Sequence, residues 1–179
     1  MSTKVITGKV RFSYAHVHVP TAIQEGDTAK YSVSLIIPKT DTVTINKIKA
    51  AIEAAKELGK TSKFGGKVPA NLKTPLRDGD VERPDDDAYA GAYFINASTF
   101  NKPQIVDAEL NEIMSKDEFY SGCYGRASIN FYPFAVSGNK GIAAGLNNLQ
   151  KLEDGESLGG SSASAAAEFG EDDEDDLTK

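Results

Sequence analysis

Tryptophan is absent from these 179 residues, histidine occurs twice and cysteine once. A lone Cys123 excludes an intramolecular disulfide framework. His16 and His18 form an H-x-H pair with no third His and a distant Cys, too few donors for a metal centre, so no metal is expected. No phosphate-binding glycine loop, GxSxG, HExxH or paired-carboxylate arrangement is present. The expectation is therefore a protein that is not an enzyme and carries no cofactor. No apolar stretch reaches the length of a bilayer, and the start, MSTKVITGKVRF, lacks a signal peptide's apolar run. The expected setting is soluble and intracellular, with no membrane partner. Aromatic chemistry falls to 7 Tyr and 8 Phe.

The formal charge of -6 averages two unlike parts. Ten of the 26 acids and one of the 20 bases lie from Glu153 onward, leaving -9 there and +3 on residues 1–152. The division expected is a mildly basic folded domain, 1–152, and a flexible linker with an acidic tail, 153–179. The linker composition is SLGGSSASAAA, residues 157–167. The tail, Glu171, Asp172, Asp173, Glu174, Asp175, Asp176 and Leu177, repels itself and has too little apolar surface to fold.

Within the basic part, alternation marks strands. Val5 to Tyr14 puts Ile6, Val10, Phe12 and Tyr14 on one face, with Thr7, Lys9, Arg11 and Ser13 on the other. Lys30 to Ile37 alternates in the same way and stops at Pro38. A helix follows, capped by Asp41, striped by Ile45, Ile48, Ile52 and Ala55, and ended by Gly59. Residues 60–88 show no sustained periodicity and read as a long loop. Tyr89 to Ala97, Gln104 to Val106, Tyr120 to Phe134 and Gly141 to Leu152 complete the strands. Tyr89, Tyr93 and Phe94 sit in a run that is apolar on both faces, which predicts core burial. The fold class is mostly β: an OB-type five-stranded barrel with one helix, long inserted loops and a disordered acidic C-terminal tail.

One strand carries the pattern that points to a function. In YSGCYGRASINFYPF, Tyr120 to Phe134, the residues Cys123, Ala127, Ile129 and Phe131 share the apolar register. The other register holds Tyr124, Arg126, Ser128, Asn130 and Tyr132. Two tyrosines flanking a guanidinium and an amide make a stacking surface, and unstacked nucleobases lie on such planes for roughly 1–3 kcal/mol each. Lys9 and Arg11 would add cations for phosphates if the first strand lies beside it. The loop Lys60 to Lys67 interleaves Lys60, Lys63 and Lys67 with Phe64 and two glycines, as a flap over a nucleic-acid backbone would. A solvated lysine loop and an ordinary Tyr-bearing strand are the bland alternatives. Register alone does not separate single strands from duplex DNA or RNA, and the oligomeric state stays open.

A polyanion tethered to a basic aromatic face can occupy that face at an effective concentration on the order of mM. Displaced, it is free to engage basic partner proteins, with Phe169 and Leu177 as apolar anchors. A solubility tail is the plain alternative. A protein-interaction module, mimicking DNA through its acids, is the rival reading of the whole chain.

The chain resembles the bacteriophage single-stranded DNA-binding proteins with an OB fold and acidic C-terminal tail, in particular a phage family first catalogued as a domain of unknown function. The stretches that carry the resemblance are KYSVSLIIPK, PLRDGD, YFINAS, YSGCYGRASINFYPF and GNKGIAAGLNNLQKLEDGE. The resemblance implies a non-catalytic protein of the bacterial host's cytoplasm. It would coat single-stranded DNA with little sequence preference during phage DNA replication and recombination. Its tail would contact replication and recombination proteins.

Overall fold

A computed structural model describes residues 2–22, 26 and 28–158. The tail residues Phe169, Glu171, Asp172, Asp173, Glu174, Asp175, Asp176 and Leu177 lie outside them. In chain order the elements are β1 (Lys4–Ile6), β2 (Val10–Thr21), β3 (Lys30–Pro38), α1 (Thr42–Ser62), β4 (Arg77–Asp78), α2 (Gly79–Glu82), β5 (Ala92–Thr99), β6 (Gln104–Val106), β7 (Tyr124–Val136) and β8 (Asn139–Glu153). The path β2–β3–β5–β8–β7 closes back onto β2. Five strands thus form a ring, antiparallel except for the β5–β8 pair. The ring is uneven. β7 and β8 pair along their whole length, whereas β2 meets β7 only at Val10–Gly125 and Arg11–Tyr124. The expected mostly-β architecture with one main helix is what the chain forms.

The core is continuous from the ring interior to α1. Phe12, Leu35, Ile37, Ile95, Ile129 and Phe131 from the strands meet Ile45, Ile48, Ile52 and Ala55 from the helix. The stripe and the Asp41 cap, whose carboxylate accepts from Thr44 N at 3.1 Å, follow the sequence reading. Gly59 does not end the helix, which runs on to Ser62. A Cβ at Gly59 would sit 2.4 Å from Phe64 Cε2 and 2.8 Å from Pro133 Cβ. This glycine therefore serves close packing rather than termination.

Two faces were misassigned by simple alternation. β1 stops at Ile6 and β2 starts at Val10, so parity resets between them; Val5 and Thr7 are buried while Ile6 is exposed. Within β2 the register against β3 shifts between Ser13 and His16, and Tyr14 takes φ 47°. Such a bulge turns a side chain to the opposite face. Tyr14 consequently points outward and Val17, not His16, continues the core. His16 and His18 lie on β2, and His18 Nε2 donates to the Phe119 carbonyl at 2.9 Å.

The stretch 60–88 is not a structureless loop. It contains the last turn of α1, a bridge from Lys73 to Gly141, then β4 and α2. A short 3-10 turn at Asp87–Tyr89 follows, so Tyr89 is buried outside any strand. Its ring packs edge-on to Phe94, 5.0 Å between centroids. Phe94 is buried as expected, whereas Tyr93 is half-buried.

Candidate nucleic-acid interface

β7 keeps the two registers read from its sequence. Cys123 (just before it), Ala127, Ile129 and Phe131 are buried, and burial pushes the Cys123 thiol up. Arg126 and Tyr132 are exposed, and Tyr124, Ser128 and Asn130 half-buried. Cross-strand partners extend this outer face sideways. Lys4 stands opposite Asn130 and Ile6 opposite Ser128 on β1. On β8, Gly145 stands opposite Asn130, Ala143 opposite Tyr132 and Gly141 opposite Phe134. A Cβ at Gly145 would lie 3.0 Å from Asn130 Oδ1 and 3.5 Å from Tyr132 Cε1. One at Gly141 would lie 2.8 Å from Phe134 Cζ. The rings and the amide rest on bare backbone, which leaves a low platform with Tyr132 41 % exposed.

Lys9 and Arg11 come to the other end of the same strand. Lys9 Nζ stands 5.4 Å and Arg11 Cζ 5.3 Å from the Tyr124 ring centroid, within cation–π range. Arg126 turns toward β1 and donates from Nε to the Thr7 carbonyl at 2.9 Å. The cations here are already engaged. Lys9 pairs with Glu153 at 2.6 Å, and Arg11 donates to the carbonyls of Gly122 at 3.1 Å and Glu156 at 2.7 Å.

The Glu156 carbonyl belongs to a strap formed by residues 154–158, near the start of the stretch assigned to linker and tail. Tyr120 Oη–H faces Asp154 and the Gly155 carbonyl, each at 3.0 Å, and Leu158 N donates to Ser121 O at 2.9 Å. The Lys151 and Tyr120 hydrogen bonds hold the Asp154 carboxyl below its ordinary range. Gly155 fits so closely that a Cβ would lie 2.0 Å from Gly122 O and 2.7 Å from Tyr124 Cε1. Leu158 packs beside a small second core of Ile36, Tyr89, Ala92 and Phe94.

The proposed flap needs correction. Phe64 is 4 % exposed and belongs to the main core, so it offers no ring to a base. It folds back because Gly59 leaves a socket for it beside Pro133. Lys60 lies in α1 and pairs with Glu57 at 2.9 Å. Lys63 and Lys67 are exposed on either side of the buried Phe64. The packing of Phe64 and Pro133 about Gly59 sets this turn near the Tyr132 end of β7.

A concave site on the β3–β5 side escaped sequence reading. The buried Ser34 pairs with Asn96, and Ser32 with Ser98. Together with Tyr14 and Arg83 they line a recess of about 370 Å³. Arg83 donates to the Tyr14 hydroxyl and lies 5.0 and 4.6 Å from the Tyr14 and Tyr89 ring centroids. Only the bulge turns Tyr14 there, and no short-range signal announces that bulge.

A five-stranded ring with a basic, aromatic outer face is the build of a nucleic-acid-binding barrel. The family model of the Enterobacter phage Enc34 ssDNA-binding protein matches residues 3–178, and the chain belongs to that family. Putative protein p50 of Acyrthosiphon pisum secondary endosymbiont phage 1 is 30% identical over 176 residues, 93% of this chain and 92% of the relative. The structure of the single-stranded DNA-binding protein from bacteriophage Enc34 in complex with ssDNA superposes with TM-score 0.77 at 30% identity, covering 88% of this chain and 90% of that one. The single-stranded DNA-binding protein gp2.5 of bacteriophage T7 shares the fold, with TM-score 0.62 at 12% identity over 90% of this chain and 97% of that one.

Proposed function

We propose that this chain is a non-catalytic single-stranded DNA-binding protein of a phage, acting in the host cytoplasm. The observation that carries the reading is the match along 88% of the chain to the Enc34 protein, whose structure was determined with ssDNA. The outer face of β7 and β8 supports it. Tyr132 and Tyr124 offer ring faces, Asn130 an amide, and Arg126, Lys9, Arg11, Lys63 and Lys67 the cations. Stacking on such a surface tolerates any base, which suits coating during replication and recombination. OB-type barrels also present the face of their second and third strands to oligonucleotides, here β3 and β5.

The regulatory part of the proposal starts from the strap. Glu153 and the Glu156 carbonyl hold Lys9 and Arg11, so bound DNA competes with the chain's own C-terminal segment at the Tyr124 end. The acidic residues Glu171 to Asp176, tethered just beyond, extend that competition to the rest of the basic face. Once displaced they are available to replication and recombination proteins, with Phe169 and Leu177 alongside. The working division is a binding domain, 1–152, and a regulatory segment, 153–179.

Fluorescence anisotropy of a labelled oligo-dT, titrated across a salt series, tests the reading. Affinity falls steeply with salt as phosphates are neutralised, and truncation after Leu158 tightens binding. A chain that binds no oligonucleotide at low salt refutes the reading and leaves the acidic tail as the working end of an interaction protein.

A further inference from the structure

Coating a strand sets copies of the chain side by side, and two margins of the fold are complementary. Across the outer face, Ile6 on β1 stands opposite Ser128 on β7, Ser128 opposite Asn148 on β8, and Asn148 opposite Gln104 on β6. β1 and β6 are therefore opposite margins of one platform, roughly 14 Å apart at about 4.8 Å per strand. The β1 margin is basic. Between β1 and α1 runs a groove of about 710 Å³, with Ile6, Ala50 and Ala51 as its apolar lining and Lys4, Lys47 and Arg126 around it. These cations enter no ion pair among the described residues. Arg126 donates to the neutral Thr7 carbonyl, which leaves its charge uncompensated.

The β6 margin is the reverse. After β6 the chain turns and runs back beside it, with Glu112 bridged to Val106 and Ile113 N donating to the Ile105 carbonyl at 2.7 Å. Asp107 braces the turn: its carboxylate accepts from Glu109 N and Asn111 N, each at 2.9 Å. Leu110 sits at the tip with φ 69°, a left-handed conformation uncommon for a branched side chain. It is 72 % exposed, and Met114 is 74 % exposed just beyond. Around them Glu109, Glu112, Asp117 and Glu118 are exposed against a single lysine, Lys116. An apolar knob in an acidic collar thus stands on one margin, and an apolar groove in a basic collar on the other.

We infer that the turn after β6 of one copy docks in the β1–α1 groove of a second copy of this chain. Leu110 and Met114 meet the apolar lining, and Glu109 and Glu112 meet Lys4 and Lys47. Charge sets the direction. Each margin repels its own kind, so acid meets base head to tail, and such a heterologous contact repeats from copy to copy. Because the β7–β8 platform lies between the two margins, the contact brings successive platforms edge to edge and gives a strand one continuous track. The turn is already braced by Asp107, so docking orders little chain. A contact of this size is weak between free copies and gains weight where one strand holds neighbours at high effective concentration. Its role in coating rests on the single-strand-binding reading; the contact itself does not.

The test has one arm without DNA and one with it. Full chains of natural and heavy-nitrogen isotope are mixed, concentrated at low salt and treated with a carbodiimide, which joins an amine to a carboxylate. The expected product links Lys4 or Lys47 of one isotope to Glu109 or Glu112 of the other. Absence of any link between the two isotopes overturns the inference. So does Lys47 joined instead to the acids of 171–176, which gives the groove to the chain's own tail. In the second arm, an oligo-dT long enough for several copies binds each copy several-fold more tightly than one that holds a single copy. Lys47→Glu, and separately the Glu109→Lys, Glu112→Lys double variant, keep the affinity for the short oligonucleotide and lose that gain. Their equimolar mixture regains it, since each turn then finds a groove of opposite charge. A wild-type chain with no gain, a gain that survives in either variant, or a mixture that stays defective overturns the head-to-tail contact and leaves the binding function standing. A wild-type chain that binds neither oligonucleotide removes the underlying function, and the cross-link then decides the contact by itself.

Discussion

Tyr124 and Tyr132 occupy equivalent positions on one face of β7, yet the two ends of that face differ in what surrounds them. At Tyr132 the neighbours are glycine and alanine backbone, and the ring is open. At Tyr124 two cations stand over the ring and the strap presses its edge at Gly155. Strand register decides which face a side chain shares. Partners from distant parts of the chain decide whether that face is free, and here they come from residues more than 100 positions away (Lys9 and Arg11) and from the chain beyond β8.

The largest effect that sharpens the contrast belongs to a residue on neither end. Phe64→Ala removes a buried ring and lowers stability by about 3–5 kcal/mol, read from chemical denaturation. Affinity for oligo-dT per folded molecule stays unaltered, since the ring faces the core; a selective loss of affinity would restore Phe64 to the interface. Next in size, Tyr132→Ala weakens oligo-dT binding by roughly tenfold, measured by anisotropy, while Tyr124→Ala in the full chain costs less because the strap already screens that ring. Equal losses at both positions would show that the strap leaves the Tyr124 end open.

Gly155→Ala probes the strap itself. Its Cβ has no room against Gly122 and Tyr124, so the segment lifts and releases Arg11. The expected readout is tighter oligo-dT binding and a salt dependence steeper by about one phosphate contact. The smallest effect concerns pH. The Asp154 carboxyl is held below its ordinary range by Lys151 and Tyr120, so its ion pair supports the strap above about pH 4. That support is lost as pH falls through the depressed value. Hydrogen-exchange protection at residues 154–158, corrected for the intrinsic pH dependence of amide exchange, should fall on acidification and stay constant between about pH 6 and 8.

Much of the architecture was legible because period and punctuation are local properties. The α1 stripe, the Asp41 cap and the in–out order of Tyr124 to Tyr132 all follow from spacing alone. What was not legible depended on contacts distant in sequence. Gly59 looks like a helix end until Phe64 and Pro133 are seen filling its missing side chain. Phe64 looks exposed among lysines and glycines until that socket closes on it. Tyr14 looks inward until the β2 bulge turns it. The strap lies in the stretch that the sequence assigns to linker and tail, and contacts with Tyr120, Arg11 and Ser121, distant in sequence, hold it.

The most direct test of where the strand lies is hydrogen exchange of the full chain with and without oligo-dT. Slowed exchange within residues 124–136 and 139–146, together with faster exchange at 154–158 as the strap is displaced, is the result predicted. Saturating oligo-dT that leaves the amides of β7 and β8 unchanged would contradict the account.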